Sequence, residues 1–276
     1  MQKTTKNEFL RLLKEKRVTT VAGAWVYFFL SSLIPLVFLM ITAFGVFGVE
    51  ITSDLVSRLP EGFREAGEII VQTANSAQEG VTIFFAGTLI FSSSALLHQM
   101  RKDGNSIYGV KVGSRRGFFN RIWAILALMV LFVIFLGTAL LIAFGEKLLL
   151  NFPSGKSKRM VVSLLFGVLI TLISYLVIVL LNKYVCPSKT PTSAVCSGSL
   201  ISLAIIYIGT IVLGLYLNFF GLNNAFYGSL AGIVAFLLWS YILMTGLVIG
   251  TIFGYYLSKK NQAKQTLLKK QVAVYD

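Results

Sequence analysis

Apolar positions along this chain gather into six long runs, at about residues 24–48, 81–97, 122–145, 160–181, 194–217 and 226–257. Each holds roughly the seventeen or more residues that a helix needs to cross a hydrocarbon core about 30 Å thick. A bilayer admits only helices and closed barrels, because every backbone polar group must be paired there. Barrel strands alternate polar and apolar over about ten residues, and these runs do not alternate. The pattern predicts an all-α integral membrane protein with six transmembrane helices over 24–257, a lead-in at 1–23 and a tail at 258–276.

The segments between the runs add detail. Residues 6–20 mix Phe9, Leu10, Leu12 and Leu13 with Lys14, Lys16 and Arg17. That is the pattern of a basic amphipathic helix on a membrane surface, and equally of a charged approach to the first span. The external loop 49–80 is divided by Pro60. After it, Phe63, Gly67, Ile70, Ala74 and Ala77 form a narrow apolar stripe, predicting an amphipathic external helix with an acidic face. Between the second and third runs, Gly104, Gly109, Gly113 and Gly117 argue against a long regular helix. Asn218, Asn223 and Asn224 around Gly221 predict a tight hairpin before the sixth run. That run is the longest, so its helix should tilt, bend or project. Gly228 and Gly232, then Gly246, Gly250 and Gly254, recur every fourth residue along it. Such spacing lets a neighbouring helix approach closely.

Composition agrees: 56% of residues are hydrophobic and 13% charged, with a mean hydropathy of +0.78. The net charge of +14 suggests nucleic acid until its placement is examined. Lys and Arg number 19 in the segments on the side of the N-terminus and 6 on the other side. Positive charge stays on the cytoplasmic side during insertion, so both termini are expected inside. Topology and attraction to anionic headgroups then explain the basic excess, and no nucleic-acid partner is expected. Six of the eleven acids lie in the external loop 49–80. No cleavable signal peptide is expected, since about 23 mostly polar residues precede a first run too long for a signal core. Cys186 and Cys196 fall on the cytoplasmic side, where a disulfide is disfavoured.

Chemistry is sparse. His98 is the single histidine, and metal-dependent hydrolysis needs clustered carboxylates or histidines. No phosphate-loop, paired-cysteine or nucleophile-elbow motif occurs. The expectation is a non-enzymatic protein without metal or cofactor. No run carries an ionisable residue in its middle, which disfavours a proton-coupled pump. Sodium held by backbone carbonyls at a broken helix stays open, with Pro35 as the candidate break. The polar groups within the runs are hydroxyls, among them Ser31, Ser32, Ser92, Ser93, Ser199 and Ser202. Either they bond their own helix backbone, or Ser31, Ser32, Pro35, Ser92 and Ser93 line a polar groove. His98, Arg101, Arg115 and Arg116 would then form a basic inner mouth suited to a phosphate headgroup, since arginine bonds phosphate in bidentate fashion.

Three blocks resemble the YihY/BrkB family of bacterial inner-membrane proteins. They are Tyr27 to Pro35, Asn105 to Val110 with Arg115 to Phe118, and Tyr227 to Gly232 running on to Leu237 through Tyr241. The resemblance covers roughly 20–257 and implies six helices in the bacterial cytoplasmic membrane. Family members often end the sixth helix in a Gly-Ala-Glu-like triplet, where this chain has Gly250, Thr251 and Ile252. Any role of that carboxylate is therefore not carried over. The family was once labelled a tRNA-processing ribonuclease and is linked by name to serum resistance, so the resemblance implies a fold more than an activity. Together these features predict a translocator of an anionic amphiphile, with membrane lipids as partners through their anionic headgroups. The alternatives are an envelope scaffold that binds envelope proteins through the external loop, and a small-solute exporter.

Overall fold

The computed structural model describes residues 2–46, 79–110, 156–187, 190–220 and 228–275. Among them every regular element is helical: α1 (Gln2–Glu15), α2 (Val18–Val46), α3 (Glu79–Ile107), α4 (Lys156–Val185), α5 (Thr192–Phe220) and α6 (Gly228–Tyr275). Gly167–Val185, Thr192–Tyr216 and Val234–Ala263 are each long and apolar enough to cross a membrane, and Val18–Ser32 is a shorter apolar stretch. The third run at 122–145, the loop over 49–78, and Arg115 and Arg116 lie outside the described residues.

The side chains identify the solvent. Leu165, Val168 and Leu172 on α4, with Ile208, Ile211 and Leu215 on α5, are large apolar groups left exposed. Asn182, Ser199, Ser202, Ser240 and Thr251 are buried. Water would penalise so large an apolar exterior, whereas lipid accepts it and leaves buried polar groups to pair with one another. The molecule is built for a bilayer.

Helix boundaries differ from the hydropathy pattern where the backbone has its own reasons. The second run ends near residue 97, yet α3 continues to Ile107. Gly104 does not break it. The helix stops at Gly109, whose φ of 70° is left-handed. There the Gly109 N–H donates to the Ser106 carbonyl at 3.2 Å and the Val110 N–H to the Asn105 carbonyl at 2.9 Å. This is a Schellman cap, and glycine takes its left-handed position without steric cost. The apolar sequence of the sixth run ends near 257, but α6 runs 48 residues to Tyr275, about 72 Å. The 258–276 tail is thus largely a continuation of α6, because Ala263, Leu267 and the lysines favour helix and no Gly or Pro intervenes. In the lead-in, the 6–20 stretch is divided: α1 ends at Glu15 and α2 starts at Val18. α2 continues through Pro35 to Val46.

The described chain falls into two compact units. One comprises 1–17, 101–203 and 247–276, and so holds α1, α4, the end of α3, the first half of α5 and most of α6. The other comprises 18–100 and 204–246. In this second unit Trp25 and Ala22 are fully buried, and Gly209 on α5 takes the Ile242 side chain against its bare backbone.

Candidate functional site

The first unit contains a closely packed helix pair, α5 and α6. Ala194, Gly198 and Ser202 recur every fourth residue along α5, so they share one face. Gly250 and Gly254 do the same on α6. The faces meet backbone to backbone: a Cβ on Gly198 would strike the Gly250 carbonyl, and one on Gly250 would strike the Ser202 hydroxyl and the Gly198 carbonyl. A Cβ on Gly254 would come within 3.2 Å of the Ala194 carbonyl. Small residues permit this approach, which gains dispersion contact where lipid supplies no hydrophobic drive.

Beside that contact lies a buried polar network. The Asn182 amide on α4 donates to Ser199 Oγ at 3.0 Å and to Ser202 Oγ at 3.4 Å. Thr251 Oγ1 on α6 donates to Asn182 Oδ1 at 3.1 Å and also lies 3.0 Å from the Leu247 carbonyl. Ser199 and Ser202 pass their own protons to the carbonyls of Val195 and Gly198. Both Asn182 amide hydrogens and its oxygen therefore have partners, as an amide held away from water requires. One side chain ties three helices together. The Tyr175 hydroxyl adds a further α4–α5 link by donating to the Cys196 carbonyl at 3.2 Å.

The helix ends of the same unit converge on Tyr108 and Arg101. The Tyr108 hydroxyl lies 3.2 Å from Cys186 Sγ and also meets the Thr190 side chain. Its ring packs edge-on against Tyr255 at 5.2 Å. Burial, and then Cys186, push the Tyr108 phenol well above its usual range. Burial likewise pushes the Cys186 thiol up to about 11, against a smaller lowering from the bond with Tyr108. This is a packed thiol, not a reactive one. A Cβ on Gly104 would overlap the Val185 carbonyl, so glycine there lets the end of α4 dock against α3. Arg101 Nη1 donates to the Tyr184 carbonyl at 3.1 Å, and its guanidinium lies 5.2 Å from the centre of the Tyr184 ring. It thereby caps α4, where carbonyls lack helical partners and a cation suits the helix dipole.

The residues singled out in the sequence fall in different places. Ser31 donates to the Tyr27 carbonyl at 2.9 Å and Ser32 to the Phe29 carbonyl at 2.8 Å, so both hydroxyls bond their own helix. Pro35 is buried within α2, and Ser92 is half-buried on α3. The side chain of Ser93 is outside the described set. His98, in the second unit, has a buried Nδ1 without a hydrogen-bond partner among the described residues, as does Thr245 Oγ1. Gly228 and Gly232 lie in the first turns of α6, and Gly246 is buried. Asn182 was absent from the sequence reading, because it sits one residue beyond the fourth apolar run. Its signal was an amide at a run's end, with Ser199 and Ser202 three apart at the start of the next. Among the described residues, no group of three His, Cys, Asp or Glu side chains is arranged to hold a metal ion.

Comparison with known proteins gives one assignment. A family model described as Virulence factor BrkB matches residues 9–274. No solved structure gives a significant match.

Proposed function

The chain belongs to the virulence factor BrkB family, and we propose that it translocates an anionic amphiphile, a lipid or envelope precursor, across the bacterial cytoplasmic membrane. In this reading the protein is not an enzyme, uses no cofactor, and keeps both termini in the cytoplasm. The supporting observation is Arg101, half-buried among the ends of apolar helices and steadied on Tyr184 through one of its donors. A guanidinium has five N–H donors in a fixed fork, a geometry that matches phosphate oxygens. Arg115 and Arg116, fourteen and fifteen residues further along the chain, would share the headgroup.

Flux of a fluorescent phosphatidylglycerol across liposomes containing the purified protein tests this. The expected result is scrambling by the native chain, reduced in Arg101→Lys and lost in Arg115→Ala/Arg116→Ala. Folded protein that moves no headgroup overturns the proposal. A scaffold without transport is the second reading, favoured by the close α5–α6 contact and the fully partnered Asn182, which are features of a fixed assembly.

A further inference from the structure

We infer that α1 is a two-sided strap, gripping α6 with one face and an anionic lipid surface with the other. The inference rests on the protein being embedded in a membrane and is independent of what it transports. The inner face is settled by contacts. The Phe9 ring lies edge-on to Phe253 at 5.6 Å and tilted against Tyr256 at 5.9 Å. Leu12, one turn on, is buried. Lys16 Nζ sits 5.5 Å from the centre of the Tyr255 ring, and Lys259 lies 3.9 Å from Glu8. α1 is separate from α2, since Arg17 takes a left-handed φ of 49° between them.

These contacts also fix the depth of α1. They fall on α6 where apolar sequence gives way to Lys259 and Lys260. In the same unit, the apolar span of α4 ends at Val185 and that of α5 begins at Thr192. Aromatic and basic residues meet in this way at the boundary between hydrocarbon and water. A helix fastened at that level lies among headgroups.

The opposite face of α1 suits that position. Leu10 is 49% exposed, and Arg11, Lys14 and Arg17 are exposed beside it. Leu10 and Lys14 are four apart and share a face that Phe9 and Leu12 do not. In water an exposed leucine among cations gains nothing. At an anionic interface the leucine enters the acyl boundary while the cations meet phosphates. Lys102, Lys183 and Lys259 are exposed in the same unit, so the surrounding charge has the same sign. Of the α1 acids, Glu8 faces Lys259 and Glu15 is exposed.

The test uses the full chain in nanodiscs, with an environment-sensitive fluorophore on Leu10→Cys in a Cys196→Ala background. Quenching by headgroup-proximal nitroxide lipid is compared with quenching by aqueous iodide. Phosphatidylcholine discs are compared with discs that also contain phosphatidylglycerol. With phosphatidylglycerol, lipid quenching should dominate and iodide quenching fall several-fold. Each cation near an anionic surface favours binding about five-fold, so loss of three cations weakens the association on the order of a hundred-fold, and Arg11→Glu/Lys14→Glu/Arg17→Glu should weaken it by more and restore iodide access. Equal iodide access in both lipids, or lipid quenching unchanged by charge reversal, overturns the inference. The second result would leave α1 held by α6 alone.

Discussion

Two populations of hydroxyl groups occupy the helices of this protein. Ser31, Thr88 and Thr210 each donate to the carbonyl four residues back on their own helix, at 2.9, 2.9 and 2.7 Å. Ser199 and Ser202 make the same local bonds, at 2.9 and 3.3 Å, and Thr251 Oγ1 lies 3.0 Å from the Leu247 carbonyl one turn back. The second group differs by a single amide: Asn182 donates to two of them and accepts from the third. A hydroxyl in an apolar helix can satisfy its proton locally, so its presence says little about neighbours. It joins helices when a donor or acceptor faces it from another helix, and the Asn182 amide supplies both.

The largest effect should come from the backbone contact beside that amide. Gly250→Val places a branched side chain onto the Ser202 hydroxyl and the Gly198 carbonyl. Overpacking of this kind costs about 3 kcal/mol or more when the obstacle is backbone, so the variant should accumulate little folded protein. Gly214→Val on α5 is the control, since nothing lies within 4 Å of its added Cβ. Surface changes of that sort stay within about 0.5 kcal/mol. Unfolding by steric trapping in bicelles measures both, and equal stability of the two variants would mean that α5 and α6 do not touch.

Removing the amide comes next. Asn182→Leu leaves Ser199 and Ser202 bonded to their own carbonyls, lets the Thr251 proton turn to the Leu247 carbonyl 3.0 Å away, and takes away the ties between helices. Interhelical hydrogen bonds in membranes contribute about 1–2 kcal/mol in model peptides and about 0.6 kcal/mol on average in double-mutant cycles, which brackets the expected loss. Thr251→Val should cost less, and the double variant less than the sum, because Thr251 and Asn182 share a bond. Strict additivity would break the claim that they act together.

A smaller effect, of about 1 kcal/mol, is expected for Tyr108→Phe, which removes the hydroxyl that meets Cys186 and Thr190 at the helix junction. The thiol beside it gives this region a pH signature. Cys186 holds its proton up to about 11 when folded, against an ordinary 9.0. Its contribution is therefore complete below pH 9 and declines as pH rises from about 9 to 11. Cys186→Ala should flatten the part of the alkaline stability profile that this group supplies. An unchanged slope would indicate that the thiol is not buried.

Hydrophobic runs were legible because a bilayer demands about twenty apolar residues per crossing, and α4, α5 and α6 follow from that demand. Their ends were not, because caps depend on single residues. Gly109 stops α3 through its left-handed φ, while Gly104, equally suspect in the sequence, lies inside the helix as a docking point for Val185. Composition cannot separate two such glycines. Gly250 stood in a regular four-residue series along α6, but its partners Ala194, Gly198 and Ser202 mix three residue types at that spacing, so the pairing became visible only in three dimensions. Asn182 escaped for a similar reason: its importance lies in Ser199 and Ser202 on α5 and Thr251 on α6, which no local window contains. Arg101 was legible as a cation at a helix end. That one of its donors caps α4 through Tyr184 was not.

The smallest expected effect sharpens the opening comparison most. Thr210→Val on α5 removes a hydroxyl whose proton goes to the Ile206 carbonyl of the same helix. That carbonyl already belongs to the helical hydrogen-bond series, so its loss leaves no backbone group orphaned. Valine matches threonine in shape and is at ease against lipid, and the change should fall within about 0.5 kcal/mol of neutral. Ser199→Ala is the matched substitution in the network. It too removes a local bond, here to the Val195 carbonyl, but it also withdraws an acceptor from one buried Asn182 hydrogen. An unpartnered donor away from water costs about 1–3 kcal/mol. The two substitutions delete the same group from the same helix, so a gap of roughly 1 kcal/mol between them isolates what the amide adds. If both are neutral, the Asn182 contacts exist without stabilising anything, and the distinction between the two kinds of hydroxyl disappears.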